Sequence, residues 1–271
     1  MNVNAPEKFD VNIAQIRNRN IFTGIIPSNH CIRILEEHEK TIMIHSRTAL
    51  AERFFSGNSA TYEHIANICS LGLDRRWKRK ILNKIPQNPT QMIDQACGTG
   101  LLTFKIAQRF PLCRIVGVDL QGEYLGIAKK KAEALQLTTV DFIHSKAEDV
   151  VLEGDFDCIT SCYLAKYADL GLLVDHAHDM LREGGMFIMH ELTYPTRLTY
   201  AFFWNIHFKF LQAYGKCKHP EWGIAFHELP ICLKETKWID ELIEALKANS
   251  FSDINIEYLA FGASAIVYAR K

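Results

Sequence analysis

Hydrophobic and polar positions change rhythm twice along this chain, and the changes divide it into three stretches. Residues 1 to about 27 mix Asn, Pro and charge with short apolar pieces and predict an arm that packs late or on a partner. From Ser28, a candidate N-cap, through Phe55, apolar residues such as Ile32, Leu35, Ile42, Ala49 and Phe54 recur at near-helical intervals, predicting one broken helix or two. The turn SGNSAT from Ser56 leads to a helix beginning at Tyr62, with Ile65, Ile68, Cys69 and Leu71 as its stripe. A second helix runs through Trp77, Ile81 and Leu82 to a stop at Pro86 and Pro89.

Beyond Pro89 the pattern alternates. Strands are predicted near 91–94, 114–119, 140–144, 156–161 and 186–190, and helices near 101–109, 123–135 and 172–181. Such alternation implies a parallel sheet with helices on both faces. Arg182, Glu183, Gly184 and Gly185 read as a helix exit with a left-handed glycine cap. Between Pro195 and Pro230 the rhythm breaks, and TYAFFWNIHFKFLQAY carries more apolar groups than one helical stripe needs. Two readings stand: a helix buried between the sheet and the N-terminal helices, or a wall around a lipophilic substrate. A helix over 237–249 and strands over 254–259 and 264–269 close the chain as an antiparallel edge. The expected fold is α/β and Rossmann-like: a seven-stranded, mostly parallel sheet with an antiparallel terminal strand, extra N-terminal helices and a helical insertion before the last helix. Residues 1–60 are assigned to an N-terminal helical extension and 61–271 to the main domain, with the insertion at about 195–235.

One stretch carries candidate chemistry. IDQACGTG, Ile93 to Gly100, joins a buried strand to a helix through a glycine turn, and VGVD delivers Asp119 at the carboxyl end of the next strand. A dinucleotide fingerprint needs a third glycine where Thr103 stands. Asp94 would repel a pyrophosphate but suits a ligand carrying an ammonium and a sulfonium. S-adenosylmethionine is therefore the expected cofactor.

Thirty-one basic residues balance thirty-one acidic ones, so no long-range field for nucleic acid is expected. The basic runs Arg75–Lys80 and Lys129–Lys131 read as solvated helix faces. The eight cysteines contain no C-x-x-C pair and read as buried hydrophobes. MNVNAPEKFD is too polar for a signal peptide, and no apolar run approaches the roughly twenty residues of a membrane span. The expected setting is cytoplasmic; peripheral membrane contact and a homodimer are left open. The eleven histidines form no paired metal motif, so no metal is expected.

Taken together, these residues resemble class I S-adenosylmethionine-dependent methyltransferases, and more narrowly the ubiquinone/menaquinone C-methyltransferase family. The narrower likeness rests on YEHIANICSLGLDRRWKR (Tyr62 to Arg79), FDCIT (Phe156 to Thr160), MLREGGMFIMHELTYP ending at Pro195, and Gly262 and Ala265. The resemblance implies that Gly98, Thr99 and Gly100, with Ala96, lie against the methionine part of the cofactor. Asp119 would accept hydrogen bonds from the two ribose hydroxyls, with Leu120 beside it. Ala147 would flank the adenine, and Tyr62 and Arg79 would close over the cofactor from the N-terminal helices.

The chain departs from that family at informative places. Lys146 replaces an asparagine at the adenine edge, Cys162 replaces a serine, and Asp74 replaces a histidine. The glycine-leucine-arginine-asparagine loop reads Leu164-Ala165-Lys166-Tyr167. Methylating a carbon of a reduced quinone requires a ring hydroxyl to lose its proton, and reactants held in line at about 3 to 3.5 Å. Lys166 is a candidate base or oxyanion stabiliser, Tyr167 a candidate anchor for the same hydroxyl, and Glu191 a candidate orienting group. His190, adjacent to Glu191, points to the opposite side if the strand persists. The expected activity is C-methylation of a lipophilic quinol or related aromatic small molecule. The alternatives are methylation of another small or lipid molecule on O, N or S, and a non-catalytic cofactor-binding partner in a biosynthetic complex.

Overall fold

The computed structural model describes residues 47–271; the expectations for residues 1–46 lie outside them. Within the compact unit Ile44–Lys271, a helix over 47–55 (α1) precedes α2 (Tyr62–Cys69) and α3 (Asp74–Leu82). Then come β1 (Gln91–Gln95), α4 (Thr103–Arg109), β2 (Arg114–Asp119), α5 (Gly122–Ala134), β3 (Val140–His144), β4 (Phe156–Cys162) and α6 (Leu170–Met180). The chain continues through β5 (Leu181–Leu192), α7 (Leu198–Lys218), α8 (Gly223–Glu235), α9 (Trp238–Ala248), β6 (Ser252–Leu259) and β7 (Ser264–Arg270). The strand order is β3-β2-β1-β4-β5-β7-β6; β7 runs antiparallel to both β5 and β6, and the remaining pairs are parallel.

Strand periodicity sorts the core into two layers. Ile93, Ile159, Phe187 and Val267 face one way, against Leu173 and Val174 of α6 and Leu242 and Leu246 of α9. Their neighbours Met92, Cys158, Ile188 and Ile266 face the other way, against Trp77 and Ile81 of α3 and Ile106 of α4. Successive residues alternate sides, so burying both faces demands the near-continuous apolar runs seen in the sequence.

Two sequence expectations need correction. The Gly184 turn does not cap α6: the helix ends at Met180, and Leu181 is already extended (φ −78°, ψ 139°). Gly184, at φ +74°, instead lies in an irregularity of β5, where Phe156 pairs with Leu181 and Cys158 with Met186. Nor is the aromatic segment simply buried. Ala201, Trp204, Phe208, Leu211 and Gly215 of α7 face inward, whereas Leu198, Phe202, Phe203, Ile206 and Phe210 are exposed. Phe54, Ile65, Trp204, Phe208, Trp222 and Phe226 form a third cluster, which joins α1 and α2 to α7 and α8.

Candidate functional site

The sheet order reverses between β1 and β4, the place where open α/β sheets bind ligands at the carboxyl ends of their strands. After β1 the chain turns through Ala96 to Gly100. The Cys97 N–H donates to the Val118 carbonyl at 3.0 Å, and the Gly100 N–H to the Cys97 carbonyl at 3.0 Å. Gly98 and Gly100 adopt φ +58° and +84°. A Cβ on Gly100 would lie 2.4 Å from the Phe104 ring, so only glycine lets the following helix close in. Asp119 clamps the turn from the neighbouring strand: its carboxylate accepts the Gly98 N–H at 2.7 Å and the Gln121 N–H at 2.8 Å. Burial raises its pKa, and these two hydrogen bonds oppose the rise.

Beside the turn lies a cavity of about 90 Å³. Of the residues singled out in the sequence, Tyr62, Ala96, Gly98, Asp119, Leu120, Lys146, Ala147, Cys162 and Tyr167 line it. Thr99 and Gly100 do not; the Thr99 hydroxyl donates to Glu63 at 2.6 Å. Asp94 lies behind the turn, where its carboxylate accepts the Thr103 hydroxyl at 2.6 Å and the Thr160 hydroxyl at 2.8 Å. Burial lifts its pKa to about 6 against those bonds. Asp94 therefore ties the strand ends to the start of α4, and Thr103 supplies a hydroxyl where a dinucleotide site has glycine. Arg79 is exposed on α3 and lines none of the cavities described below. One helical position earlier, Lys78 is buried and ion-paired with Asp74, whose carboxylate also accepts the Tyr163 hydroxyl at 2.8 Å.

On the other side of Tyr167 a second cavity, about 80 Å³, is lined by Ile65, Tyr163, Lys166, Tyr167, Leu192 and Trp222 among others. The Lys166 ammonium is 2.8 Å from the Glu191 carboxylate, with both side chains buried, and it sits 4.3 Å from the centre of the Tyr167 ring. The Tyr167 hydroxyl is buried and has no hydrogen-bond partner. His190 points away from Glu191, toward Trp77, Tyr163 and Ser264, as strand alternation requires. Ser264 Oγ donates to the Glu191 carbonyl at 3.1 Å, so His190 Nε2 donates to Ser264 Oγ at 2.7 Å. Burial lowers the His190 pKa to about 3, leaving the ring neutral.

Sequence reasoning missed several lining residues. Thr48, Ala51 and Phe55 of α1 cover the first cavity, and Phe55 makes edge contacts with Tyr62, Tyr124, Tyr167 and Trp222. Glu148, which the sequence offers as an acceptor beside Lys146 at the adenine edge, does line the cavity and adds a second carboxylate, its pKa raised by burial. Tyr163, lining both cavities, holds φ +63°, uncommon for a bulky residue and frequent at sites that aim a side chain. Only proximity to the predicted loop could have flagged Tyr163; nothing local marks Phe55.

The donor set suits a cationic nucleoside: carboxylates at Asp119 and Glu148, aromatic faces at Tyr62 and Tyr124, and the glycine turn between them. Both free volumes, about 90 and about 80 Å³, are well below the roughly 300–1,000 Å³ of small-molecule sites, so admitting ligands requires the lining of each cavity to move outward. Among the described residues no group of three His, Cys, Asp or Glu side chains could hold a metal, and no helix is long and apolar enough to cross a membrane.

Sheet order and site place the molecule in the class of S-adenosylmethionine-dependent methyltransferases. A crystal structure of geranyl diphosphate C-methyltransferase from Streptomyces coelicolor, with S-adenosylhomocysteine bound, shares the fold. Its TM-score is 0.55 at 16% identity, over 73% of this chain and 79% of that one. The profile of the ubiE/COQ5 methyltransferase family matches residues 43–271, and the chain belongs to that family. Relatives include a demethylmenaquinone methyltransferase of Thermus thermophilus, 28% identical over 216 residues (78% of this chain, 97% of that protein). One from Bacteroides fragilis is 24% identical over 225 residues (81% and 91%). The protein is thus an enzyme whose cofactor is S-adenosylmethionine, which supplies an electrophilic methyl group when bound.

Proposed function

We propose that the enzyme methylates a ring carbon of a lipophilic quinol, with the cofactor on the Asp119 side of Tyr167 and the quinol ring on the Lys166 side. The observation that carries this reading is the Tyr167 hydroxyl, buried without a partner beside an apolar cavity that also holds the Lys166 ammonium. A buried polar group is costly to leave unpaired, and a ring oxygen of the acceptor would satisfy it. The names of the relatives support the acceptor class.

Within this reading Asp119 holds the ribose hydroxyls, Ala147 and Lys146 border the adenine, and Gly98 and Ala96 bring the backbone close to the methionine part. Lys166, already paired with Glu191, acts as a cation and not as a base. The ring hydroxyl yields its proton to water, and Lys166 stabilises the oxyanion left behind, whose charge reaches the attacking carbon. The hydrogen on that carbon leaves to water once the methyl group is bonded. Glu191 sets the position of Lys166. A lipophilic acceptor also implies contact with a bilayer. Leu198, Phe202, Ile206 and Phe210 recur every four residues on the exposed face of α7, a helix with Lys209, Lys216 and Lys218 and no acidic residue, which suits an anionic surface.

Incubation with labelled S-adenosylmethionine and a reduced 2-prenyl-1,4-naphthoquinol should yield a ring-methylated product identifiable by mass fragmentation. Tyr167→Phe should lower kcat/KM about 10- to 100-fold, the loss expected for one hydrogen bond to developing charge, with cofactor affinity retained. Label on oxygen, nitrogen or sulfur instead of ring carbon would sink the reading.

A further inference from the structure

A second, larger cleft adjoins the cavity under Tyr167 across Leu192. Cys69, Ser70 and Leu192 line both, and the cleft, of about 410 Å³, opens beside α7. That volume falls within the roughly 300–1,000 Å³ typical of small-molecule sites. Its walls are Leu73, Trp77, Leu192, Trp204 and Phe208. Two polar side chains along it are engaged locally. His207 Nε2 hydrogen-bonds the Cys69 carbonyl at 3.0 Å, and the Ser70 hydroxyl donates to the Asn67 carbonyl at 3.2 Å while accepting the Asp74 N–H at 3.3 Å. At the mouth stand Leu71, Phe203 and Phe261, respectively 70%, 65% and 76% exposed. Large apolar side chains seldom cluster in water without a partner.

We propose that this cleft binds the isoprenoid tail of the acceptor, leading from the ring at Tyr167 past Leu192 and out between Phe203 and Phe261. The inference rests on the quinol reading for its occupant and on the lining for its path. Three features select an apolar chain over other ligands: a shared wall, Cys69, Ser70 and Leu192, with the cavity that holds Tyr167 and Lys166, walls that are mostly apolar, and an apolar mouth. Phe203 at the mouth lies on the same helix as the exposed ladder from Leu198 to Phe210, so a tail would pass from bilayer to site along an apolar surface.

Two measurements on the full chain test it. Geranylgeraniol, a free isoprenoid alcohol, should produce a saturable change in tryptophan emission, because Trp77 and Trp204 line the cleft. Phe203→Glu, at an exposed position, should weaken that binding about tenfold or more by placing a charge at the apolar mouth. The ratio of kcat/KM for 2-prenyl-1,4-naphthoquinol over tail-less 1,4-naphthoquinol should fall by a similar factor. No saturable response in the wild type, or a ratio unchanged by Phe203→Glu, would overturn the proposal. So would a dimer that this variant converts to monomer without any geranylgeraniol binding, since the face would then be a subunit interface. Geranylgeraniol binding that the variant weakens, with neither naphthoquinol methylated, would uphold the cleft and remove the quinol reading. Methylation of both quinols with an unchanged ratio would do the reverse.

Discussion

The two sides of this site are built by different means. The glycine turn and its clamp, at the centre of the proposed cofactor side, come from a short stretch of chain, Ala96 to Gln121, through backbone amides and a strand-end carboxylate on adjacent parallel strands. The acceptor side is assembled from rings and chains remote in sequence: Phe55 meets Tyr167 and Trp222, and Lys166 meets Glu191. A few directional bonds fix the first side, whereas complementary packing and one buried ion pair shape the second. Substitutions on the cofactor side should therefore act on affinity, and those on the acceptor side on stability and on the choice of acceptor.

The largest effect is expected where that division is sharpest. Lys166→Met leaves Glu191 buried without its cation and should cost about 3 to 5 kcal/mol of stability in guanidinium melts. A double variant that also carries Glu191→Leu should recover much of the loss, because no uncompensated charge remains. Equal loss in both variants would mean that packing, not charge, holds this corner.

Asp94 gives the next largest effect. Its pKa is 3.8 in an unfolded chain and about 6 when folded, so folding favours its protonated form. The contribution is full below the unfolded value and is lost as pH rises through about 6, amounting to about 3 kcal/mol. Asp94→Asn removes this dependence. Urea melts at about pH 4 and about pH 7 should show the difference between wild type and variant moving by that amount, the variant gaining at the higher pH.

Asp119→Ala should weaken S-adenosylmethionine binding roughly 100-fold by calorimetry, as two hydrogen bonds to a charged acceptor are worth about 3 kcal/mol or more. Retained affinity would place the nucleoside elsewhere. The smallest effect is expected at Phe202 on the open face of α7. Phe202→Ser should change unfolding free energy by no more than about 0.5 kcal/mol while reducing sedimentation with anionic phospholipid vesicles. A large loss of stability there would show that the face is already covered within the protein.

Most strands were legible from sequence because period-two burial leaves apolar runs of fixed length, and β2 and β3 lie at their predicted bounds, 114–119 and 140–144. Gly98 and Asp119 were legible because a positive φ and a strand-end carboxylate carry local marks. Helix rotation carried no such mark. Arg79 and Lys78 are neighbours of similar chemistry, and the packing of Trp77 and Ile81 against the sheet turns Lys78 inward and Arg79 out. The helix α8 contains Pro230, a residue that reads locally as a stop, yet the helix continues through it to Glu235.

By itself the sequence determined the order of elements among the described residues, the glycine turn, the strand-end carboxylate and the family, because each leaves its mark in the residues of its own segment. Tertiary structure alone decided that Asp94 is tied to Thr103 and Thr160, that Lys166 is paired, that Tyr167 keeps an unpartnered hydroxyl, and that α7 shows aromatic groups on both faces. These depend on which side chains long-range packing brings within hydrogen-bond reach, and hydrophobic burial is non-directional until the layers have docked.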